Sequence, residues 1–204
     1  MLQKKLFKVI VLIIIITSIG LLSIINNYNS IESEEELINE YIDETTTLIS
    51  STTTSKNTSK KTTTTHKKSE YSMILEIPKI NIKKGIYDKN NRLNNVDKNI
   101  TLINSSSYPD EDKGSVILAS HNGNTKVSYF KRLEELSIDD ISYIYYKGIK
   151  YTYKIYKYEI VDKVGSINVS KDKNSSNLVL ISCKNGTDDK QIVYVARLIN
   201  KEYY

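Results

Sequence analysis

A chain of 204 residues holds one domain with room for extra segments, and its net charge of +5, spread along the length, does not mark out a nucleic-acid partner. One cysteine rules out an internal disulfide framework and a multi-cysteine metal site, and with His66 and His121 the only histidines, no zinc site is expected. Tryptophan is absent and phenylalanine scarce, but 16 tyrosines and many isoleucines favour strands.

At the N-terminus Lys4, Lys5 and Lys8 precede an apolar run, Val9 to Ile25, which Leu6 and Phe7 extend. The run is near the lower length limit for spanning a bilayer. Basic residues precede it and acidic ones follow, so the positive-inside rule puts the N-terminus in the cytoplasm and the rest of the chain outside. A cleaved signal peptide is the rival reading. The run is long for a signal core and no small-x-small cleavage site follows it, so residues 1–27 are expected to be a retained single-pass membrane anchor.

Residues 31–44, "IESEEELINEYIDE", read as a short acidic helix, with Ser33 and Glu36 as a capping box and Leu37, Ile38, Tyr41 and Ile42 at helical spacing. A coiled coil or a helix docked on the folded domain is one role for it; a marginal helix in a stalk is the favoured one. Residues 45–69 are almost entirely threonine, serine and lysine, with too little apolar surface to offset chain entropy, and are expected to be a flexible stalk that includes His66. Residues 28–70 thus form a helix plus stalk, and residues 71–204 the folded domain.

That domain reads mostly as strands. "SMILEI" before Pro78, "NITLI" (99–103) and "SVILA" (115–119) are short apolar runs. Residues 141–161 read as a hairpin turning at Lys147-Gly148, and "NLVLIS" and "IVYVARLI" as the last two strands. "VSYFKRLEEL" (127–136) is the one clear helical pattern. Many short strands with one or two short helices predict an all-β closed barrel.

The single cysteine, Cys183, ends the apolar run "LVLIS" where the chain turns polar. Taken alone it reads as a small buried hydrophobe. But "SVILASHNG" repeats the layout: an apolar strand, small residues, then His121 as the chain exits. A thiol needs a neighbouring imidazole or other positive charge to become a thiolate near neutral pH, and the two residues in matching positions are what a cysteine acyl-transferase requires.

These stretches resemble the sortases. "LVLISC", followed by a short loop and "IVYVARL", is similar to the family's TLxTC-type nucleophile strand. "LEIPKINI" (75–82) resembles its first core strand, "GSVILASHNG" the strand leading to the catalytic histidine, and "YFKRLEEL" the helix after it; together they cover residues 72–200 in order. The resemblance implies an eight-stranded β-barrel with Cys183 as nucleophile and His121 as its partner. It implies transpeptidation at an LPxTG-like sorting signal of surface proteins, through a thioester, with a cell-wall precursor or pilin amine as acceptor. No metal or organic cofactor is implied.

Two positions depart from the family pattern. Val179 stands where that strand has a threonine, while Ser182 keeps a hydroxyl beside the nucleophile, which makes it a candidate substrate-binding or oxyanion group. The family arginine at the start of the last strand, which serves the substrate or the oxyanion, aligns with Gln191. Gln191 can donate through its neutral amide, Lys190 or Lys184 can supply a point charge, or a bulge can bring Arg197 into place. Arg197 shares Gln191's strand face but lies six residues on, about 20 Å away, and reads more simply as a surface residue.

The sequence shows neither an aspartate-proline-aromatic lid nor a second membrane helix, which favours protein anchoring over pilus assembly. "YPDED" (108–112) reads as a solvated loop, since calcium needs several converging oxygens. The short Val161–Asn177 connection before the cysteine strand leaves little room for the large helical insertion of class B. The missing arginine keeps open a sortase-like module that binds sorting peptides but turns over poorly. A surface cysteine hydrolase is a third reading.

Overall fold

Eight strands make one sheet in the computed structural model, which describes the backbone of residues 2–53, 70–165 and 171–204. They are β1 (Tyr71–Ile77), β2 (Ile82–Tyr87), β3 (Thr101–Leu102), β4 (Ser115–Ala119), β5 (Ile141–Tyr146), β6 (Ile149–Asp162), β7 (Asn177–Cys183) and β8 (Lys190–Tyr203). Their order is β2-β1-β5-β6-β8-β7-β4-β3. The sheet curls into a nearly closed barrel with β2 and β3 at its two margins. Buried Asn99, just before β3, donates its side-chain amide to the Gly85 carbonyl of β2 at 2.8 Å and bridges the gap.

Local chemistry sets these elements. In β5 every second residue is buried, the period of a strand with one face on a core. Lys147 and Gly148 both take positive φ, 50° and 75°, the geometry of a two-residue hairpin turn. β7 is buried along both faces, as its unbroken apolar run predicts for a strand with a parallel neighbour. Its even residues Leu178 and Leu180 point into the large core that fills the barrel, with Val116, Leu118, Ile192 and Tyr194. Its odd residues Val179 and Ile181 join Val193 and Val195 in a smaller cluster on the opposite face.

The helix expected over 127–136 is instead a chain of tight turns ending in one 3-10 turn, Leu133–Glu135. Ser128, Lys131, Leu133, Glu135 and Leu136 each donate their backbone N–H to the carbonyl three residues back. Phe130, Leu133 and Leu136 are the buried apolar residues, and their spacing of three matches the 3-10 period, not the α-helical one. A second 3-10 turn covers Pro78–Ile80. β2, "IKKGIY", was not anticipated as a strand.

Upstream lies α1 (Leu2–Thr53). The chain divides into two compact units, Met1–Asn39 and Glu40–Tyr204. In the first, the stretch 13–25 is mostly apolar, and Ile13, Ile16, Leu22 and Ile24 are exposed on its helix. Among the described residues no helix is long and apolar enough to cross a membrane; the side chains of residues 1–12, the first part of the expected anchor, lie outside the described set. Helix continues through residue 33, so Ser33 caps no helix start.

In the second unit the helix runs to Thr53, into the stretch expected to be flexible; residues 54–69, including His66, lie outside the described residues. Its threonines bond to their own helix: Thr45, Thr46 and Thr47 donate hydroxyls to the carbonyls four residues back at 2.8, 2.8 and 2.9 Å. Tyr41 is buried and donates to the Ser72 carbonyl at 2.9 Å, and Thr45 meets the Tyr204 hydroxyl at 2.8 Å. Within the second unit, these contacts dock the helical residues after Glu40 on the strands.

Candidate active site

β4 and β7 run parallel, and their register pairs Ala119 with Ile181. His121 and Cys183 each follow two residues further on. Two segments of chain some 60 residues apart therefore deliver an imidazole and a thiol to one rim of the barrel at the same offset. Cys183 is a free thiol, half-buried.

Three hydrogen bonds staple the two strand ends together. Ser120 N–H donates to the Ile181 carbonyl at 3.2 Å, Ser182 Oγ donates to the Ser120 carbonyl at 2.9 Å, and Asn122 Nδ2 donates to the Cys183 carbonyl at 2.5 Å. Asn122 was missed by sequence reasoning; its only signal was its place beside the histidine in "HNG".

Alternation along the strands sorts the remaining site residues. Cys183 shares its face with Val179 and Ile181, and Gln191, its direct register partner on β8, shares the face of Val193 and Val195. Gln191 is thus brought to the thiol. Ser182, taken as a possible substrate or oxyanion group, faces the opposite way: it is buried and its hydroxyl is spent on Ser120. Arg197 is not brought to the site either. The β7–β8 ladder runs without a bulge and places it opposite Asn177, at the far end of β7. There its guanidinium lies 3.4 Å from Asp172 and 4.8 Å from the centre of the Tyr156 ring.

The two lysines are also engaged. Lys190 pairs with Asp162, and Lys184 lies 2.5 Å from Glu134 Oε2. Glu134 Oε1 accepts the Asn185 N–H at 2.6 Å, so one carboxylate holds the β7–β8 turn by both oxygens. Burial pushes the Glu134 carboxyl up, but the Lys184 and Asn185 hydrogen bonds outweigh it and hold the group below the ordinary glutamate value.

His121 Nε2 lies 3.0 Å from Asp97 Oδ1. A thiol and an imidazole on one rim, with an amide donor across the strand, can form a covalent acyl intermediate and move its protons. Among the described residues no group of three or more His, Cys, Asp or Glu side chains could hold a metal ion. In "YPDED" Glu111 accepts the Tyr108 N–H at 2.7 Å and Asp110 pairs with Lys147 at 2.9 Å.

Comparison with known proteins places this arrangement. The family model of the sortase domain matches residues 75–199. Sortase D of Bacillus subtilis (strain 168) is 31% identical over 112 residues, which cover 55% of this chain and 54% of that protein; the chain spans about half the length of the curated relative it matches. Among solved structures, a Clostridium perfringens Sortase D5 transpeptidase aligns with a TM-score of 0.58 at 16% identity, covering 82% of this chain and 98% of that one. Listeria monocytogenes sortase A aligns with a TM-score of 0.54 at 20% identity, covering 66% and 91%. These two show the shared barrel. With its matched segment running from β1 into β8 through both His121 and Cys183, the chain belongs to the sortase family.

Proposed function

We propose that this chain is a cysteine transpeptidase that cleaves an LPxTG-like sorting signal and transfers the surface protein to an amine. The observation that carries the reading is the equal offset of His121 and Cys183 beyond the parallel β4–β7 pairing, with Gln191 opposite the thiol. The Cys183 thiolate attacks the Thr–Gly carbonyl; the C–N bond breaks, and the leaving amine takes a proton from the His121 imidazolium. The thioester is then attacked by an amine of a cell-wall precursor, which gives its proton to neutral His121 as the C–S bond breaks. The Gln191 amide donates to the carbonyl oxygen as charge develops there. The apolar face of Ile181, Val193 and Ala119, continuous with Cys183, suits the apolar part of such a signal. No metal or organic cofactor is called for by these steps.

The apolar, outward-facing helix of residues 13–25, continued in sequence back to Val9, supports a single-pass anchor within residues 1–27. In this reading residues 28–70 join the anchor to a catalytic domain, residues 71–204, on the extracellular side. Intact mass of the detergent-solubilised full chain, after incubation with a pool of sorting-signal peptides and with Cys183→Ala as control, tests the proposal. A thioester adduct on the wild type alone is expected.

Gln191 in place of an arginine favours a second reading, a sortase-like module that binds sorting peptides but turns over poorly. No adduct with any peptide, on a folded chain whose thiol still alkylates, would select it. Water as sole acceptor in the presence of abundant amine would select a surface cysteine hydrolase instead.

A further inference from the structure

From the contact between His121 and Asp97 we infer that Asp97 is a positioning residue, which fixes the His121 ring so that Nδ1 is the nitrogen that exchanges protons with the thiol and the amines. The inference rests on the reading of Cys183 and His121 as nucleophile and proton carrier. An ionised carboxylate only accepts hydrogen bonds, so at 3.0 Å from Asp97 Oδ1 the His121 Nε2 must carry its proton and donate it. The ring has two nitrogens, and which one is free is set by the bond the other makes. With Nε2 committed, Nδ1 is left for chemistry. When the ring takes up a second proton, the positive charge forms beside the Asp97 carboxylate.

The loop that carries Asp97 is built to hold it. Asn95 Oδ1 accepts the Asp97 N–H at 2.8 Å, and the Asn95 carbonyl accepts the N–H groups of Lys98 and Asn99 at 2.9 and 2.8 Å. On one side Asn94 clasps the N–H and carbonyl of Leu102 at 2.7 and 2.9 Å; on the other, buried Asn99 reaches Gly85. The carboxylate is therefore suspended between two anchored asparagines. Across from it, the His121 carbonyl accepts the Phe130 N–H at 3.1 Å, which fixes the backbone and leaves the ring's orientation to Asp97. The pair is too open to matter for the fold: His121 is 40% and Asp97 76% exposed, and exposed ion pairs add little stability. A fixed acceptor at 3.0 Å that the fold does not need is accounted for by the ring it orients.

The test compares the full chain with Asp97→Asn and Asp97→Ala. Two readouts are taken: single-turnover thioester formation against peptide concentration, and the His121 imidazole N–H signal in a His66→Ala, nitrogen-15-histidine background. Asp97→Ala should lose the bonded Nε2–H signal and lower the maximal acylation rate by about tenfold or more, at an unchanged half-saturating concentration and urea midpoint. Asp97→Asn, which keeps an accepting oxygen without the charge, should fall between. Added formate should restore part of the rate to Asp97→Ala. A wild-type rate in Asp97→Ala, or a raised half-saturating concentration with the maximal rate intact, would overturn the inference. If the wild type forms no thioester, the transpeptidase reading fails on its own, and the N–H signal still decides what Asp97 does: its survival in Asp97→Ala would show that Asp97 does not hold the ring.

Discussion

Cys183 and Gln191 are direct register partners across the β7–β8 ladder, on the face that also carries Ile181 and Val193. Side chains paired in this way have Cβ atoms about 5 Å apart, so the Gln191 amide is within reach of a carbonyl held at the thiol. A guanidinium at this position would add charge and a second donor. Gln191→Arg is expected to raise the rate of thioester formation by about tenfold to a hundredfold, and Gln191→Ala to lower it by about tenfold or more. Peptide-cleavage kinetics on the two variants check both directions.

Ser182 sits beside Cys183 and yet serves the fold. Its hydroxyl is buried and donates to the Ser120 carbonyl at 2.9 Å, so Ser182→Ala leaves that acceptor without its partner. The expected loss is about 1–3 kcal/mol of stability, read from urea unfolding. The alkylation rate of Cys183 in the folded variant should change far less than it would for a group that contacts substrate.

Tyr41 holds the end of α1 on the barrel. Burial drives its hydroxyl well above the ordinary phenol value, and the hydroxyl donates to the Ser72 carbonyl at 2.9 Å while accepting the Lys147 N–H at 3.4 Å. Tyr41→Phe should cost about 1 kcal/mol. Because the folded value is raised, the stabilisation is full below the ordinary phenol value of 10.0 and is lost as pH climbs above it. Limited proteolysis between residues 40 and 53 should speed up in Tyr41→Phe at neutral pH and in the wild type at strongly alkaline pH.

Glu134 gives the β7–β8 turn an acid limit. The hydrogen bonds from Lys184 and Asn185 prevail over burial and hold its carboxyl below the ordinary value of 4.5. A depressed folded value means that the ionised form stabilises the fold above that ordinary value and that the benefit disappears as pH falls below it. The difference in urea midpoint between wild type and Glu134→Gln should therefore be full at about pH 6 and shrink toward zero below about pH 4. A difference independent of pH would count against this role.

Much of the barrel was legible because its strands announce themselves by alternation or by unbroken apolar runs: β5, β6, β7 and β8 are where tyrosine, isoleucine and valine put them. β2 was not. "IKKGIY" carries two lysines and a glycine, and the reason for the glycine is tertiary: a Cβ on Gly85 would sit 2.4 Å from the Tyr71 ring on the neighbouring strand. The turns of 127–136 were misread because a spacing of three is close to a helical one over so short a span. His121 and Cys183 stood out since one lies just beyond the end of an apolar strand and the other at the end of one. Asp97 could not, for its contact spans 24 residues of loop. The exclusion of Arg197 needed the register of β8, which no single strand's sequence reveals.

The parallel pairing of β4 and β7 also bears on how this protein can change in length. Gaining one residue inside β7 would put the Ser182 hydroxyl at the rim in place of the thiol, and losing one would put Lys184 there and turn the sulfur inward to the buried Ser182 position. Losing or gaining two would keep the sulfur on the right side but leave it about 7 Å short of the imidazole or carry it as far past. Insertions and deletions tolerated in descendants of this chain should accordingly collect in the connections on either side of β7 and spare the seven residues from Asn177 to Cys183.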